Sequence, residues 1–136
     1  MRKILKLAAS LAVAGALAAA PSAAAMAGTN SHQVRPDTWS TCGEGTYATL
    51  CFLVTGSGAY VGYMQDTVTW AGSFGDTHLE ISGPSGTWNT PAGTSVSSFT
   101  QPINGDVIPG SYCGTAWYYV DGQYYVAARS CVTVDP

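Results

Sequence analysis

The chain has 136 residues, 10% of them charged, and a formal net charge of −3. This length suits one domain with a modest core. Five Lys and Arg residues against eight Asp and Glu residues are too few to neutralise nucleic-acid phosphates or an anionic lipid surface. We therefore expect neither a nucleic-acid partner nor a membrane partner.

The N-terminal segment has the layout of a secretory signal peptide. Three cations among the first six residues precede an apolar run of 14 residues, Leu7 to Ala20, and the small residues Ala25 and Ala27 form a cleavage site. The apolar run is shorter than the roughly 20 residues that a membrane-spanning helix needs. We predict a signal peptide at residues 1–27 and a secreted, extracellular protein.

Removal of this segment would change the charge balance. Arg35 and Arg129 would then be the only cations against all eight acidic residues, which gives residues 28–136 a formal charge of −6. Residues 28–38 are polar and predict a flexible lead-in, and residues 39–136 predict a single domain. The lysine-free, acidic composition favours neutral partners such as polysaccharides, or an extracellular protein. We expect a monomer. We also expect no cofactor, because no cofactor motif is present.

The composition beyond the signal segment predicts an all-β domain. All 15 aromatic residues lie there, Gly and Pro occur at turn spacing, and no window has the apolar period of a helix. Seven or eight short strands predict a small antiparallel β-sandwich, immunoglobulin-like in outline, with a small β-barrel as the alternative. The predicted strands are 46–55, 59–64, 67–71, 76–82, one or two edge strands within 87–102, 111–120 and 123–134. A turn or bulge is predicted at residues 65–66, and a turn at residues 104–105.

The C-terminal hairpin gives the sharpest local prediction. Asp121-Gly122 lies between the alternating segments 111–120 and 123–134, and this dipeptide favours a tight hairpin turn. A two-residue turn would place Cys113 and Cys131 on opposite faces, whereas a three-residue loop places them directly opposite each other. We predict the second register.

Four cysteines in a chain with an export signal predict two disulfides. The hairpin register predicts Cys113–Cys131, and therefore also Cys42–Cys51. The alternative joins Cys51 to Cys113, because segment 106–113 loosely resembles the tyrosine corner of immunoglobulin-like sandwiches, where a disulfide between the sheets is usual. Its tyrosine precedes the cysteine by one residue instead of two.

The same register divides the hairpin into two faces. Odd-numbered residues bring Trp117 opposite Ala127 and Tyr119 opposite Tyr125, beside Arg129. A contiguous group of aromatic residues on a strand face indicates either a recognition surface or a face covered by other elements, here a second sheet or residues 87–102. Even-numbered residues are predicted to face the core: Tyr112, Ala116, Tyr118, Val120, Tyr124, Val126, Ala128, Val132 and Val134.

One group of polar residues is a weak candidate for chemistry. Asp76, His78 and Glu80 alternate along a predicted strand and so share a face, where they could bind a metal or act as acid and base. The competing interpretation is an ordinary solvent face, with Leu79 turned inward. Because no nucleophile motif accompanies them, we predict no enzymatic activity and no metal.

Two functions remain open. The first is a non-catalytic recognition domain that binds a polysaccharide or a protein through Trp117, Tyr119, Tyr125 and Arg129. The second is an inhibitor of an extracellular hydrolase that presents the disulfide-pinned loop 42–51. In outline the chain resembles small secreted two-disulfide β-sandwich inhibitors such as the proteinaceous α-amylase inhibitors. Their Trp-Arg-Tyr recognition triplet does not occur in this sequence, so the resemblance implies an architecture and no function.

Overall fold

The computed structural model describes residues 37–136. The predicted signal peptide, the lead-in up to residue 36 and His32 lie outside these residues. The described chain contains eight strands and no helix, hence no helix long and apolar enough to cross a membrane. The strands are β1 (Asp37–Glu44), β2 (Ala48–Ser57), β3 (Tyr60–Trp70), β4 (Thr77–Gly83), β5 (Gly86–Asn89), β6 (Ser98–Asp106), β7 (Gly110–Val120) and β8 (Gln123–Val134).

The strands form two four-stranded antiparallel sheets. The first has the order β1-β2-β3-β6 and the second the order β5-β4-β7-β8. The predicted β-sandwich is confirmed, and the barrel alternative is wrong because the sheets do not join into one closed sheet. The immunoglobulin likeness is one of outline, since β2 pairs with β3 here, whereas the second strand of an immunoglobulin domain pairs with the fifth.

Alternation of apolar residues along each strand builds the core between the sheets. In β2, for example, every second residue from Ala48 to Gly56 is buried. Such a period of two places one face of the sheet in the core and the other in solvent. The buried apolar residues are Ala48, Leu50, Phe52, Val54, Val61, Met64, Val68, Leu79, Ile81, Val107, Tyr112, Ala116, Ala127, Ala128, Val132 and Val134.

Three local expectations differ from the structure. The first strand begins at Asp37, inside the segment expected to be a lead-in. The turn or bulge at 65–66 is wrong, because β3 continues through it with regular pairing and with Met64 and Asp66 both turned inward. The turn at 104–105 is also wrong: it is an irregularity within β6, where Asn104 has a φ of 52° and the pairing with β3 shifts register.

Tyr112, near the start of β7, is hydrogen-bonded to the segment that connects β6 of the first sheet to β7 of the second. The Tyr112 side chain is fully buried, and its hydroxyl donates to the Ile108 carbonyl at 2.8 Å. The same oxygen lies 2.7 Å from Ser85 Oγ and accepts from the Ser85 N–H at 3.2 Å. The hydroxyl is thus fully satisfied, which allows this polar group to be buried inside the sandwich. This geometry matches the tyrosine corner that the sequence suggested.

Glycines allow β1 of the first sheet to approach β8 of the second. A Cβ on Gly43 would overlap the Arg129 carbonyl, and one on Gly45 would overlap the Ala127 carbonyl. Because glycine has no Cβ, the β1–β2 hairpin can lie against the edge of β8, and no other residue type fits at these two positions. This contact covers the edge of β8 at residues 127–130.

The core contains one ionisable group without a hydrogen-bond partner among the described residues. Both carboxyl oxygens of Asp66 are buried and unpaired, and they lie against Gly114, where a Cβ would overlap Asp66 Oδ1. Burial raises the pKa of Asp66 from 3.8 to about 8. The side chain is therefore mostly neutral at pH 7, which explains how β3 can turn it inward.

Both disulfides join directly opposed residues of neighbouring antiparallel strands. Cys42–Cys51 links β1 to β2, and Cys113–Cys131 links β7 to β8, each with a Cα–Cα distance of 4.0 Å. The alternative bond between Cys51 and Cys113 is absent. Two disulfides indicate an oxidising, extracellular type of environment.

Candidate functional site

The β7–β8 hairpin combines the two registers that the sequence offered as alternatives. Asp121 and Gly122 form a two-residue turn with positive φ values of 50° and 84°, so that Val120 pairs with Gln123. A bulge between Ala116 and Trp117 then inserts one residue of β8. Beyond this bulge Cys113 faces Cys131, as the disulfide requires.

The predicted three-residue loop is therefore wrong, although the disulfide that it was meant to explain is present. The extra residue lies in the bulge instead of the turn. Between the bulge and the turn, Trp117 pairs with Val126 and Tyr119 with Tyr124, not with Ala127 and Tyr125.

The observed pairing of β7 with β8 differs from the predicted pairing and places several side chains on the other face of the sheet. Because directly opposed residues share a face, Tyr124 and Val126 lie on the same face as Trp117 and Tyr119. The prediction that Tyr124 and Val126 face the core is therefore wrong. Tyr125 pairs with Tyr118 on the opposite side of the sheet. The other exposed member of the expected core face is Val120, which lies at the open end of the hairpin.

The outer face of the second sheet gathers the two groups that the sequence singled out separately. In the strand register His78 is opposite Trp117, and the Tyr119 N–H donates to the Asp76 carbonyl at 2.9 Å. The imidazole therefore lies among the aromatic rings of the hairpin. We call His78, Trp117, Tyr119, Tyr124 and Val126 the aromatic face.

The rings of the aromatic face touch but are not coplanar. His78 stacks on Trp117 with ring centroids 6.0 Å apart and planes inclined by 13°. Tyr124 meets the imidazole edge-on at 4.6 Å and 79°, and Tyr119 meets Tyr124 at 4.9 Å and 60°. These are favourable aromatic geometries. They present ring faces in several directions instead of one flat platform.

None of the rings in the half of the hairpin near its turn, from Trp117 to Tyr125, is buried. Tyr119 and Tyr125 are 45% and 43% exposed, and Trp117 is half-buried. The covered alternative is therefore wrong for residues 37–136: residues 87–102 form the edge strand β5 of the same sheet, a connecting segment and the start of β6, and leave this face open.

Acidic residues border the aromatic face, and one of them, Asp76, is hydrogen-bonded to the Tyr124 ring hydroxyl. The Tyr124 hydroxyl donates to Asp76 Oδ1 at 2.9 Å, and this hydrogen bond, with a smaller contribution from burial, raises the pKa of Tyr124. Glu80 lies two residues beyond His78 on the same side of β4, in a row that continues through Thr115 to Arg129. The border thus offers carboxylate acceptors at one side and a guanidinium donor at another.

His78 has the environment of a packed ring more than that of a catalytic base. Partial burial lowers the pKa of His78, and the charges of Glu80 and Asp76 oppose that shift. Among residues 37–136 no group of three or more His, Cys, Asp and Glu side chains is arranged to hold a metal ion, and Asp76, His78 and Glu80 are not brought together as such a group. The contact with Trp117 and Tyr124 explains the position of the imidazole.

Two residues of the aromatic face, Tyr124 and Val126, were not predicted to be part of it, because the sequence pattern placed them in the core. The two-residue turn pairs them with Tyr119 and Trp117, so the Asp121-Gly122 dipeptide was a signal for their position. The bulge that realigns the cysteines has no sequence signature in this hairpin. Tyr125, a predicted site residue, belongs instead to a second group of rings at the end of the sandwich. That group consists of Tyr47, Trp70, Phe74, Tyr118 and Tyr125.

The loop enclosed by Cys42 and Cys51 does not protrude. All but three of the residues between them belong to β1 or β2, and the tip is residues 45–47. The Gly45 N–H donates to the Ala48 carbonyl at 2.9 Å, and Tyr47 packs against Phe74 and Tyr118. A nearby depression of about 250 Å³ is lined by Gly45, Ala48, Thr49, Thr69, Trp70 and Ala71, none of which belongs to the aromatic face.

No protein-family model matches the chain, and no curated protein or solved structure is significantly similar to it. Functional inference therefore rests on the residues of the site.

Proposed function

We propose that the protein is a secreted, non-catalytic recognition domain that binds a neutral polysaccharide through the aromatic face. The observation on which this rests is the open contact group of Trp117, Tyr119, Tyr124 and His78 on the outer side of the second sheet. Secretion is supported by the signal-like segment 1–27 and by the two disulfides, which persist in oxidising compartments.

The chemistry of the face fits sugar rings. A pyranose has an apolar face formed by C–H groups, which packs against an aromatic ring, and equatorial hydroxyls that donate to carboxylates. Trp117, Tyr119 and Tyr124 supply the rings, while Glu80 and Asp76 supply acceptors. An exposed tyrosine also loses little conformational entropy on binding, because it has few rotatable bonds.

Charge favours a neutral polymer over an anionic one. All eight acidic residues of the chain lie within residues 37–136, and Arg129 is the one Lys or Arg among these residues. An anionic polysaccharide would be repelled over a Debye length of roughly 8 Å at physiological salt.

Ring geometry narrows the form of the ligand. Because Tyr124 is inclined by 79° to His78 and by 60° to Tyr119, the face cannot lie flat on a crystalline surface. A single hydrated chain, which can turn its sugar rings individually, fits the inclined rings better. We therefore favour soluble or amorphous chains.

The hydrolase-inhibitor function has no comparable support. An inhibitory loop must project from the body of the protein to enter an active site, and the tip at residues 45–47 lies against neighbouring rings and β8.

Binding to a panel of neutral polysaccharides tests the proposal. We expect at least one soluble or amorphous member to retain the purified protein, with Tyr119→Ala and Trp117→Ala each weakening retention at least tenfold. Tyr63→Ala is the matched control, because Tyr63 is a tyrosine of similar exposure on the first sheet (39% against 45%). Retention by no member, or equal losses in Tyr119→Ala and Tyr63→Ala, would refute the proposal.

A further inference from the structure

The aromatic face contains the only histidine among residues 37–136, His78. Its imidazole stacks on Trp117 at 6.0 Å and meets Tyr124 edge-on at 4.6 Å, so it lies among the rings of the proposed binding site. Histidine is the side chain that ordinarily changes its charge between about pH 5 and pH 8. A site that fits an uncharged ligand therefore contains a group whose charge depends on pH.

The imidazole of His78 is only partly shielded from water. Its neighbour in β4, Leu79, is fully buried in the core, and alternation therefore holds His78 on the outer side of the sheet, where it is half-buried. This partial burial lowers the pKa of His78. Water on the open side of the ring helps to stabilise the protonated form that remains accessible.

Two carboxylates act on His78 from its own stretch of chain. Glu80 lies two residues after it and Asp76 two residues before it, and their charges oppose the effect of burial on the pKa of His78. The Asp76 carboxylate also accepts the Tyr124 hydroxyl at 2.9 Å.

The neighbouring strands add no charge next to the imidazole. β5 contains no charged residue, and Arg129 of β8 lies in the row of Glu80, two strands away from β4. The side chains that face His78 from β7 and β8 are rings and one aliphatic group: Trp117, Tyr119, Tyr124 and Val126.

A ligand on the aromatic face would change the surroundings of the imidazole. Protonation alters affinity only through what differs between the free and the bound protein, and the contacts of His78 with Trp117 and Tyr124 already exist in the free protein. A sugar chain over these rings removes water from the open side of the imidazole, and its hydroxyls donate to Asp76 and Glu80. Both changes disfavour the imidazolium, because burial penalises the charged form and an engaged carboxylate attracts it less.

We propose that protonation of His78 releases the polysaccharide, so that the domain binds at neutral pH and frees its ligand in acidic surroundings. This inference rests on the proposed function and concerns the regulation of the same site. Because the complex favours the neutral imidazole, the pKa of His78 is lower in the complex than in the free protein. Affinity is therefore full above the pKa of the free protein and falls as the pH drops through it.

Titration calorimetry at about pH 7.5 and about pH 5, on the two sides of the ordinary histidine range, tests the proposal. The ligand is the soluble oligosaccharide of a polysaccharide that retains the protein. Wild-type affinity should be weaker at the lower pH by about threefold or more. His78→Gln keeps a planar polar side chain that cannot be protonated, so its affinities at the two pH values should be equal.

The outcomes separate this proposal from the proposed function. Binding of the wild type with equal affinity at both pH values would overturn the role of His78 and leave recognition in place. Retention by no polysaccharide at the higher pH would refute the recognition function, and the regulation of its site with it.

Two matched variants exclude other groups that titrate near neutrality. Asp66 has a pKa of about 8 and lies in the core between the sheets, and His32 is the other histidine of the chain. Asp66→Asn and His32→Gln should each keep the wild-type ratio of affinities. Loss of the pH dependence in either variant would place the responsible proton elsewhere and overturn the proposal.

NMR of the imidazole C–H protons follows His78 without any substitution in the protein under study, and the His78→Gln spectrum identifies its signals. The pKa of His78 should be lower in protein saturated with oligosaccharide than in free protein. An unchanged or higher pKa in the complex would contradict the proposal, because protonation would then not weaken binding.

Discussion

The outer faces of the two sheets are both open to solvent within residues 37–136, but they are built from different side chains. On the first sheet, Thr49 pairs with Thr69 and Gln65 donates to Thr100 Oγ1 at 3.1 Å. On the outer side of the second sheet, β7 carries Trp117 and Tyr119. The first sheet also carries exposed rings, Tyr60 and Tyr63 on β3, but among residues 37–136 these rings make no ring contacts, whereas the rings of the second sheet contact one another.

That contrast is the reason to assign recognition to the second sheet. Exposed aromatic residues without ring contacts are common on protein surfaces, and Tyr60 and Tyr63 on the first sheet are of this kind. On the second sheet, ring contacts run from Trp117 through His78 and Tyr124 to Tyr119, and each contact partly desolvates the two rings that make it.

The largest stability effects should come from the disulfides, of which each outer face has one. Each removes loop entropy from the unfolded chain, about 3 kcal/mol by the chain-entropy relation, and the longer loop contributes about 0.5 kcal/mol more. Replacing Cys113 and Cys131 by Ala should therefore lower the free energy of unfolding slightly more than replacing Cys42 and Cys51, whose sequence separation is 9 instead of 18.

Urea denaturation of the two double variants provides the measurement. A clearly larger loss from the pair in the first sheet would mean that local strand packing, and not loop length, sets the contribution of each disulfide.

Between the two sheets, Asp66 should give an effect of opposite sign. Its pKa is about 8 in the folded protein and 3.8 unfolded, so between these values the folded state binds more protons and stability falls as pH rises. The penalty is on the order of 4 kcal/mol at pH 7 and vanishes below pH 4. Asp66→Asn keeps the shape but cannot ionise, and should raise the free energy of unfolding by about 2 kcal/mol at pH 7, allowing for its buried amide.

Denaturation of Asp66→Asn and wild type at pH 4, 6 and 8 checks this expectation. The difference between them should widen steadily with pH. A constant difference would mean that Asp66 already has a hydrogen-bond partner in solution.

A smaller effect is expected from the hydroxyl that orients the aromatic face. Tyr124→Phe removes the hydrogen bond to Asp76 Oδ1 and keeps the ring, so polysaccharide affinity should fall by about 1 kcal/mol, roughly fivefold. Tyr63→Phe on the first sheet is the control and should leave affinity unchanged. Titration calorimetry with the ligand found in the panel measures the affinity of each variant. Equal affinities of the two variants would show that the hydrogen bond between Tyr124 and Asp76 does not contribute to binding.

The sequence was sufficient for features with a local signal. Alternation in β2 and β4 predicted the sandwich, and the cysteine positions around the hairpin at Asp121-Gly122 predicted both disulfides, although the loop length assumed for that hairpin was wrong. The sequence also singled out His78 and Trp117 separately, but their contact depends on β4 pairing with β7, which are about 40 residues apart in the chain.

Features that depend on packing were not predictable. The two-residue turn places Tyr124 on the outer face, and the bulge beside Trp117 then restores the pairing of Cys113 with Cys131 that the disulfide requires. Asp66 resembled a turn residue because an aspartate is normally charged, and it lies within a strand because the core keeps it neutral.

The most direct test of the account is a titration followed by backbone amide NMR with the soluble oligosaccharide of the retained polysaccharide. It compares both outer faces in one experiment. The account predicts shifts concentrated at His78, Trp117, Tyr119, Tyr124 and Val126, with little change at Thr49, Thr67 and Thr100. Shifts centred on the threonines of the first sheet, or spread evenly over both sheets, would contradict it.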